Sequence, residues 1–366
     1  MRIFVVAESA VTNSLGRAIS LAIVGTERAV TELWAVDDGP VWTGARHFDL
    51  DIRRFDGRNP AALVSRIRDA AADEPVVVWI SKGISPLDRI AAALKGRANT
   101  TVLADFDDDD VSLMREQVAK SLKTAVHLNV LHRKSPTQVR RAQARTARVA
   151  DGYTFSSRAL ERTYLARDLP PRASAVVPHA RPDAWLVAER EARVAGPLRL
   201  AYLGTVRPHK GADKVLSLVE AMPEIHFSSF SGSFRPAGGG ATWHSIGAEA
   251  ALSEVYADVD FTLVPQDPSS SAARNQLPSK IVEAAVFGVA VVATPTPVIE
   301  EYCAGAYVPI EDWSDPHDVA RRIRQADPVA LGAALRQVFL DRFAAAVSGT
   351  ALGRLLDEVP APAPSR

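Results

Sequence analysis

The stretch FTLVPQDPSSSAARNQLPSKIVEAAVFGVAVVAT, residues 261–294, decides the fold. Its apolar start, residues 261–265, predicts a buried strand, and the Pro-, Ser- and Asn-bearing segment after it predicts a polar loop. Ser279 then opens a short helix ending near Gly288, and residues 289–294 predict the next strand. Lys280 and Glu283 lie three apart and so share one face of that helix near its N-terminus. Ligands of open α/β sheets bind at the carboxyl ends of strands, where helix N-termini favour anions. A cation and a carboxylate at such a helix start therefore make a candidate nucleotide site.

Upstream, the same rhythm begins at residues 198–204, LRLAYLG, which restart a strand after the charge- and proline-rich stretch 179–196. The loop TVRPHKG, residues 205–211, sets Arg207 and Lys210 between a strand end and a helix start. That helix is marked by Val215, Leu218, Val219 and Met222 at helical spacing. Guanidinium and ammonium both pair with phosphate oxygens, so the two cations suit a diphosphate. Residues 225–230 predict a strand, 231–240 (SGSFRPAGGG) a flexible glycine-rich loop, and 249–256 a helix. Helical segments near 316–324 and within 328–355 close the chain, with Pro328 in a first helical position after a capping Asp327.

The first half alternates in the same way. Residues 2–7, 76–80 and 100–104 are predominantly apolar, and helical patterns at 14–24, 60–72 and 86–95 separate them. Strands of that kind indicate a parallel sheet covered on both faces. Residues 33–57 carry no clear period. The first strand-to-helix loop holds Ser9, Asn13 and Ser14, with Gly16 and Arg17 in the first helical turn. It lacks the Gly-x-Gly-x-x-Gly fingerprint, which disfavours a dinucleotide oxidoreductase. Asp105 to Asp110, interrupted only by Phe106, follow the strand ending at Ala104. Asp108 to Asp110 fit an acidic first helical turn; Asp105 and Asp107 are candidates for a divalent metal or for orienting an acceptor hydroxyl. Arg133, Lys134, Arg140, Arg141, Arg145 and Arg148 form a basic stretch. A helix from about Thr137 would set the last three on one face, solvated or resting on anionic lipid or a phosphorylated acceptor. A strand at 151–156, a helix at 158–165 and a strand at 173–177 complete this half.

At 366 residues the chain has room for two domains, and 47% hydrophobic with 23% charged residues is the composition of a globular protein. Lys+Arg and Asp+Glu are both 43, so no global charge argues for a nucleic-acid partner. Cys303 is the only cysteine, which excludes an internal disulfide framework and a cysteine-based zinc cluster. The first strand begins at the N-terminus without a leader-like pattern, and no apolar run reaches the length of a membrane span. A cytoplasmic location is therefore expected.

The segments GYTFSS (152–157), VVPHA (176–180), LGTVRPHKG (203–211), YADVDFTLVP (256–265) and LPSKIVEAAVFGVAVVAT (277–294) occur in an order that resembles the GT-B glycosyltransferases, especially the group 1/family 4-like set. The likeness is carried by residues 150–345; earlier residues share only the β/α rhythm. It implies two Rossmann-like doubly wound domains facing across a cleft, and transfer of a sugar from a nucleotide-sugar donor to an acceptor hydroxyl without an obligate metal or other cofactor. It implies that Arg207 and Lys210 bind the donor diphosphate and stabilise the leaving group. Glu283 would accept hydrogen bonds from the ribose, Ser279 and Lys280 would flank the nucleotide or its phosphates, and Gly16 would let its loop approach the donor. Two departures stand out. Many members carry a glutamate eight residues before the ribose-binding one, where this chain has Asn275; and a histidine often follows the strand ending at Ala104, where Asp105 stands as the candidate catalytic group.

The expected organisation is an acceptor-side domain at 1–178, a linker at 179–196 and a nucleotide-sugar domain at 197–340. A C-terminal helix at 341–359 would pack back on the first domain, and a disordered tail would cover 360–366. The acceptor is left open between a glycan, a lipid-linked molecule and a small molecule, with peripheral membrane contact through residues 133–148. Competing readings are a degenerate GT-B protein that binds without turnover, and a metal-dependent transferase using Asp105 and Asp107. The second leaves everything after residue 196 unexplained.

Overall fold

The computed structural model describes residues 1–120, 135–167, 169–191, 196–204, 206, 211–234, 241–247 and 249–360. The chain divides into two compact units, one of Met1–Ala180 with Ala345–Arg366, the other of Arg181–Ala344.

The first unit is built on strands β1 (Arg2–Ala7), β2 (Val30–Val36), β3 (Ile52–Phe55), β4 (Val76–Ser81), β5 (Thr100–Phe106), β6 (Gly152–Phe155) and β7 (Ala173–Val176). They pair in parallel in the order β3-β2-β1-β4-β5-β6-β7. The apolar runs follow from burial on both faces. Ile3 and Val5 of β1 join one core cluster, and Phe4 and Val6 join the other. Between the strands run α1 (Leu15–Thr26), α2 (Ala61–Asp73), α3 (Leu87–Leu94), α4 (Asp110–Lys120), α5 (Pro136–Val149) and α6 (Arg158–Leu165). Ser135 and Gln138 close a capping box around Pro136 at the start of α5.

The second unit holds β8 (Arg199–Tyr202), β9 (His226–Phe230), β10 (Thr242–Ile246), β11 (Phe261–Val264), β12 (Ala290–Ala293) and β13 (Val308–Pro309). These are also parallel, in the order β10-β9-β8-β11-β12-β13. Its helices are α7 (Ala212–Ala221), α8 (Leu252–Ala257), α9 (Ser271–Asn275), α10 (Ser279–Val286), α11 (Pro297–Cys303), α12 (Pro316–Gln325) and α13 (Pro328–Val338). Asp327 caps α13, accepting from Val329 and Ala330, with Pro328 in the first turn. A π-helical turn, Phe339–Phe343, follows α13. The chain then enters α14 (Ala345–Glu358), whose Leu352 and Leu355 lie in the core cluster of Ile3 and Ile19 in the first unit. The helical segments expected within 328–355 are these three pieces, the last of them running on to Glu358.

Each unit is a Rossmann-like sheet whose strand order reverses beside its first strand, between β1 and β4 and between β8 and β11. Such switch points leave a crevice at the carboxyl ends of the strands. The unperiodic region 33–57 contains the end of β2 and all of β3, and the polar loop after β11 contains α9. The change of unit falls between Ala180 and Arg181, so 181–191 belong to the second unit rather than to a separate linker. Residues 192–195 of that stretch, 235–240 of the glycine-rich loop and 361–366 of the tail lie outside the described residues.

Candidate functional site

At the switch point of the second unit, β8 ends in Tyr202 and β11 ends in Val264. The loop after β8 returns at Gly211, which adopts φ +63 and caps α7; a Cβ there would overlap the carbonyl oxygen of Pro265. The two strand-end loops therefore meet backbone to backbone. Arg207 and Lys210 belong to this loop but lie outside the described residues.

Lys280, in the first turn of α10, turns back onto the same strand ends. Its ammonium lies 4.0 Å from the Tyr202 ring centroid and donates to the Leu263 carbonyl at 3.3 Å. A Cβ at Gly204 would stand 3.3 Å from that Nζ, so the chain leaving β8 passes close beside the charge. Burial pushes the Tyr202 phenol up to about 12, so it stays neutral and offers the cation a π face. Lys280 is buried while Ser279, one residue earlier, is exposed. A desolvated cation beside a helix N-terminus makes this end of the sheet attractive to an anion.

One turn along α10, Glu283 accepts from Arg181 Nη2 at Oε1 and from the Tyr256 hydroxyl at Oε2, the latter at 3.3 Å. Tyr256 is fully buried, and burial together with the adjacent carboxylate raises its pKa well above the ordinary value, so it remains a donor. Arg181 and Tyr256 are partners of the candidate residue Glu283 that the sequence does not single out. Arg181 stands 102 positions from Glu283 and carries no motif. Asn275 ends α9, and its side-chain amide donates to the Ser271 carbonyl at 3.1 Å.

In the first unit the outcome differs. Gly16 lies in the first turn of α1 with the Trp42 indole beside it; a Cβ at Gly16 would meet Trp42 at 3.4 Å, an ordinary contact. Asp105, the candidate catalytic carboxylate, is fully buried. Arg17 holds it through two bonds of 2.9 and 2.6 Å and also donates to the Val177 carbonyl at 2.8 Å. Thr154 donates to Asp105 at 2.7 Å and accepts from the Trp79 indole at 2.9 Å. Asp105 is therefore part of a closed polar chain in the core, not a group presented to a substrate.

The remaining aspartates are likewise answered by cations rather than solvated or assembled for a metal. Lys82, at the end of β4, places its ammonium 2.9, 2.7 and 3.1 Å from Asp107, Asp108 and Asp110. Burial lowers the Lys82 pKa, but the charges of Asp107, Asp108 and Asp110, with Glu8, outweigh it and raise it well above the ordinary lysine value. Asp109 pairs with both terminal nitrogens of Arg167 at 2.6 Å and caps Ser112 at 3.2 Å. Asp105 and Asp107, the metal pair of the alternative reading, are thus engaged separately, Asp105 by Arg17 and Asp107 by Lys82. Among the described residues no group of three or more His, Cys, Asp or Glu side chains is arranged to hold a metal ion. On α5, Arg145 pairs with buried Asp88 at 2.6 Å, while Arg140, Arg141 and Arg148 are exposed; Arg133 and Lys134 lie outside the described residues. Among the described residues no helix is long and apolar enough to cross a membrane.

No protein-family model matches this chain, and no curated protein sequence does either. Its fold recurs in solved structures. Anabaena HepE in complex with UDP-glucose superposes with a TM-score of 0.67 at 14% identity, over 98% of this chain and 99% of that one. Sucrose-phosphate synthase from Thermosynechococcus elongatus gives 0.64 at 14% identity, over 98% of both chains. A glycosyltransferase from Rickettsia africae gives 0.63 at 10% identity, again over 98% of both. At these identities the likeness is one of fold, and the fold is GT-B, two Rossmann-like units in one chain.

Proposed function

We propose that this chain is a glycosyltransferase that moves a sugar from a nucleotide-sugar donor to an acceptor hydroxyl, with the second unit holding the donor. The observation that carries this reading is the pairing on α10 of buried Lys280, seated at the switch point between β8 and β11, with partly exposed Glu283 one turn later. A cation at the strand ends suits the donor phosphates, and a carboxylate about 5 Å further along the helix suits the hydroxyls of the attached ribose. The fold shared with a UDP-glucose-bound protein, a sucrose-phosphate synthase and a glycosyltransferase supports the same chemistry.

In this reading Arg207 and Lys210 join Lys280 in neutralising the leaving diphosphate, so the reaction requires no obligate metal. Ser279, exposed on the first turn of α10, adds a hydroxyl near the phosphates. Asn275 faces the sugar with an uncharged hydrogen-bonding group, and Gly16 lines the approach from the first unit. The protein works in the cytoplasm, and exposed Arg140, Arg141 and Arg148 on α5 supply a contact for an anionic membrane surface or a phosphorylated acceptor. The missing carboxylate at Asn275 favours one second reading, a GT-B protein that binds a nucleotide sugar without turnover.

The deciding experiment incubates the protein with UDP-, GDP- and ADP-glucose and measures both thermal stabilisation and released nucleoside diphosphate, with and without a chelator. Stabilisation by one nucleotide with release that survives chelation is expected, and Lys280→Ala should lower donor use about tenfold or more. Stabilisation without release on any acceptor would select the binding protein. No response to any nucleotide would reject both.

A further inference from the structure

Glu283 is held on two sides, and the stronger hold comes from the segment through which the chain enters the second unit. Arg181 is 4% exposed on its side chain, whereas the Glu283 side chain keeps 14%. An ionised carboxylate offers about four acceptor positions. Arg181 and Tyr256 take one each, and the exposed remainder can still accept.

Arg181 is itself fixed. Its backbone forms a parallel bridge with Ala344. A few residues on, Val187 donates to the Val286 carbonyl at 3.3 Å. The Trp185 ring stacks on Phe287 at 6.1 Å, and Phe287 stacks on Tyr256 at 5.1 Å. The segment from Arg181 to Val187 is thus strapped along α10 from Glu283 to the last residue of the helix. A lone glutamate on a helix surface samples several rotamers, each with its carboxylate in a different place. A guanidinium on a fixed backbone selects one of them.

Resting on the nucleotide-sugar reading above, we propose that Arg181 is a positioning residue for the donor: it fixes the Glu283 carboxylate so that its free acceptor positions meet the vicinal hydroxyls of the ribose.

The test compares UDP, ADP and GDP with their 2′,3′-dideoxy counterparts by calorimetric titration, following the base that binds most tightly. Wild-type protein should prefer the ribonucleotide by about tenfold or more, the expected effect of hydrogen bonds to a charged acceptor. Glu283→Gln should bring that ratio close to one. Arg181→Gln should lower it comparably while leaving affinity for the dideoxynucleotide within about twofold, and Arg181→Lys should give a ratio between the two. A wild-type ratio in folded Arg181→Gln or Arg181→Lys, whatever their thermal stability, overturns the proposal and leaves Arg181 as a purely structural ion pair. If Glu283→Gln also keeps the ratio, or wild-type protein shows no preference, the ribose assignment fails and the proposal falls with it. If no nucleotide binds, the nucleotide-sugar reading itself is rejected.

Discussion

Arg17 and Asp105 illustrate what a buried charge demands of its surroundings. Both side chains are fully excluded from water, and the carboxylate is answered by a two-point guanidinium contact and a threonine hydroxyl. Removing one partner leaves the other charge unanswered in the core. Asp105→Asn should therefore cost about 3–5 kcal/mol of stability, read from the urea midpoint of the purified variant. A cost below about 1 kcal/mol would contradict the closed-chain account. Glu32 on β2 poses the same problem with a titratable consequence. Burial would raise its pKa, but hydrogen bonds from Arg66, Trp34 and Arg2 and the charge of Arg53 outweigh burial and hold it below the ordinary glutamate value. A folded-state pKa below the unfolded one, about 4.3, stabilises the fold fully above that pH and ceases to do so as pH falls through the folded value. The stability gap between wild type and Glu32→Gln should be constant above about pH 5 and shrink below about pH 4. A gap that widens on acidification would reverse the assigned sign.

Helix and strand ends show where glycine is required and where it is merely convenient. Gly96 follows α3 at φ +64 with nothing near its missing Cβ, so Gly96→Ala should cost only the left-handed strain, about 1 kcal/mol. Gly211 has the same φ but faces the Pro265 backbone, and Gly211→Ala must also push the start of α7 away from the end of β11. Its cost should exceed that of Gly96→Ala by about 1–3 kcal/mol, with loss of nucleotide-induced stabilisation. Equal melting temperatures for the two variants would show that the loops meet less closely. The same elements explain what was legible in the sequence. β1, β4, β5, β11 and β12 are readable because both faces are buried and their residues are mostly apolar. β2 was not, because Glu32 interrupts its run, and the arginines that make it tolerable come from elsewhere in the chain. β10 was missed as an edge strand with three of five residues exposed, a pattern close to that of a loop. Lys280 and Glu283 could be found because one helix carries them. Arg181, Tyr256 and Lys82 could not, because their partners are fixed by tertiary packing rather than by spacing. Asp105 shows the same limit: a strand-end carboxylate reads alike in sequence whether it faces solvent or, as here, a buried Arg17.

On the scale of the whole molecule, the chain leaves the first unit once and comes back to finish it. Residues 181–344 form an insertion between a β/α body and the helix that completes its core, so the last helix belongs energetically with the first strand. Leu352 and Leu355 on α14 are 0% and 2% exposed, in one cluster with Ile3, Val5 and Leu15. Leu352→Ala leaves a cavity in that cluster and should cost about 2–5 kcal/mol. Compact units with separate cores open separately, so the loss should not be spread over the chain. Region-resolved hydrogen exchange on the full-length variant should show faster exchange in β1, α1 and β7, with β8, β11 and β12 unchanged. Completion of the first unit also requires residues 345–358, which join it only across the whole of the second unit, whereas the described strands of the second unit all lie within 181–344 and can pair without them. A pulse-labelling experiment started from urea should therefore find β8 and β11 protected no later than β1. Protection of β1 well before α14 would mean that the first sheet closes without its final helix, and that the return of the chain is a late addition rather than a requirement.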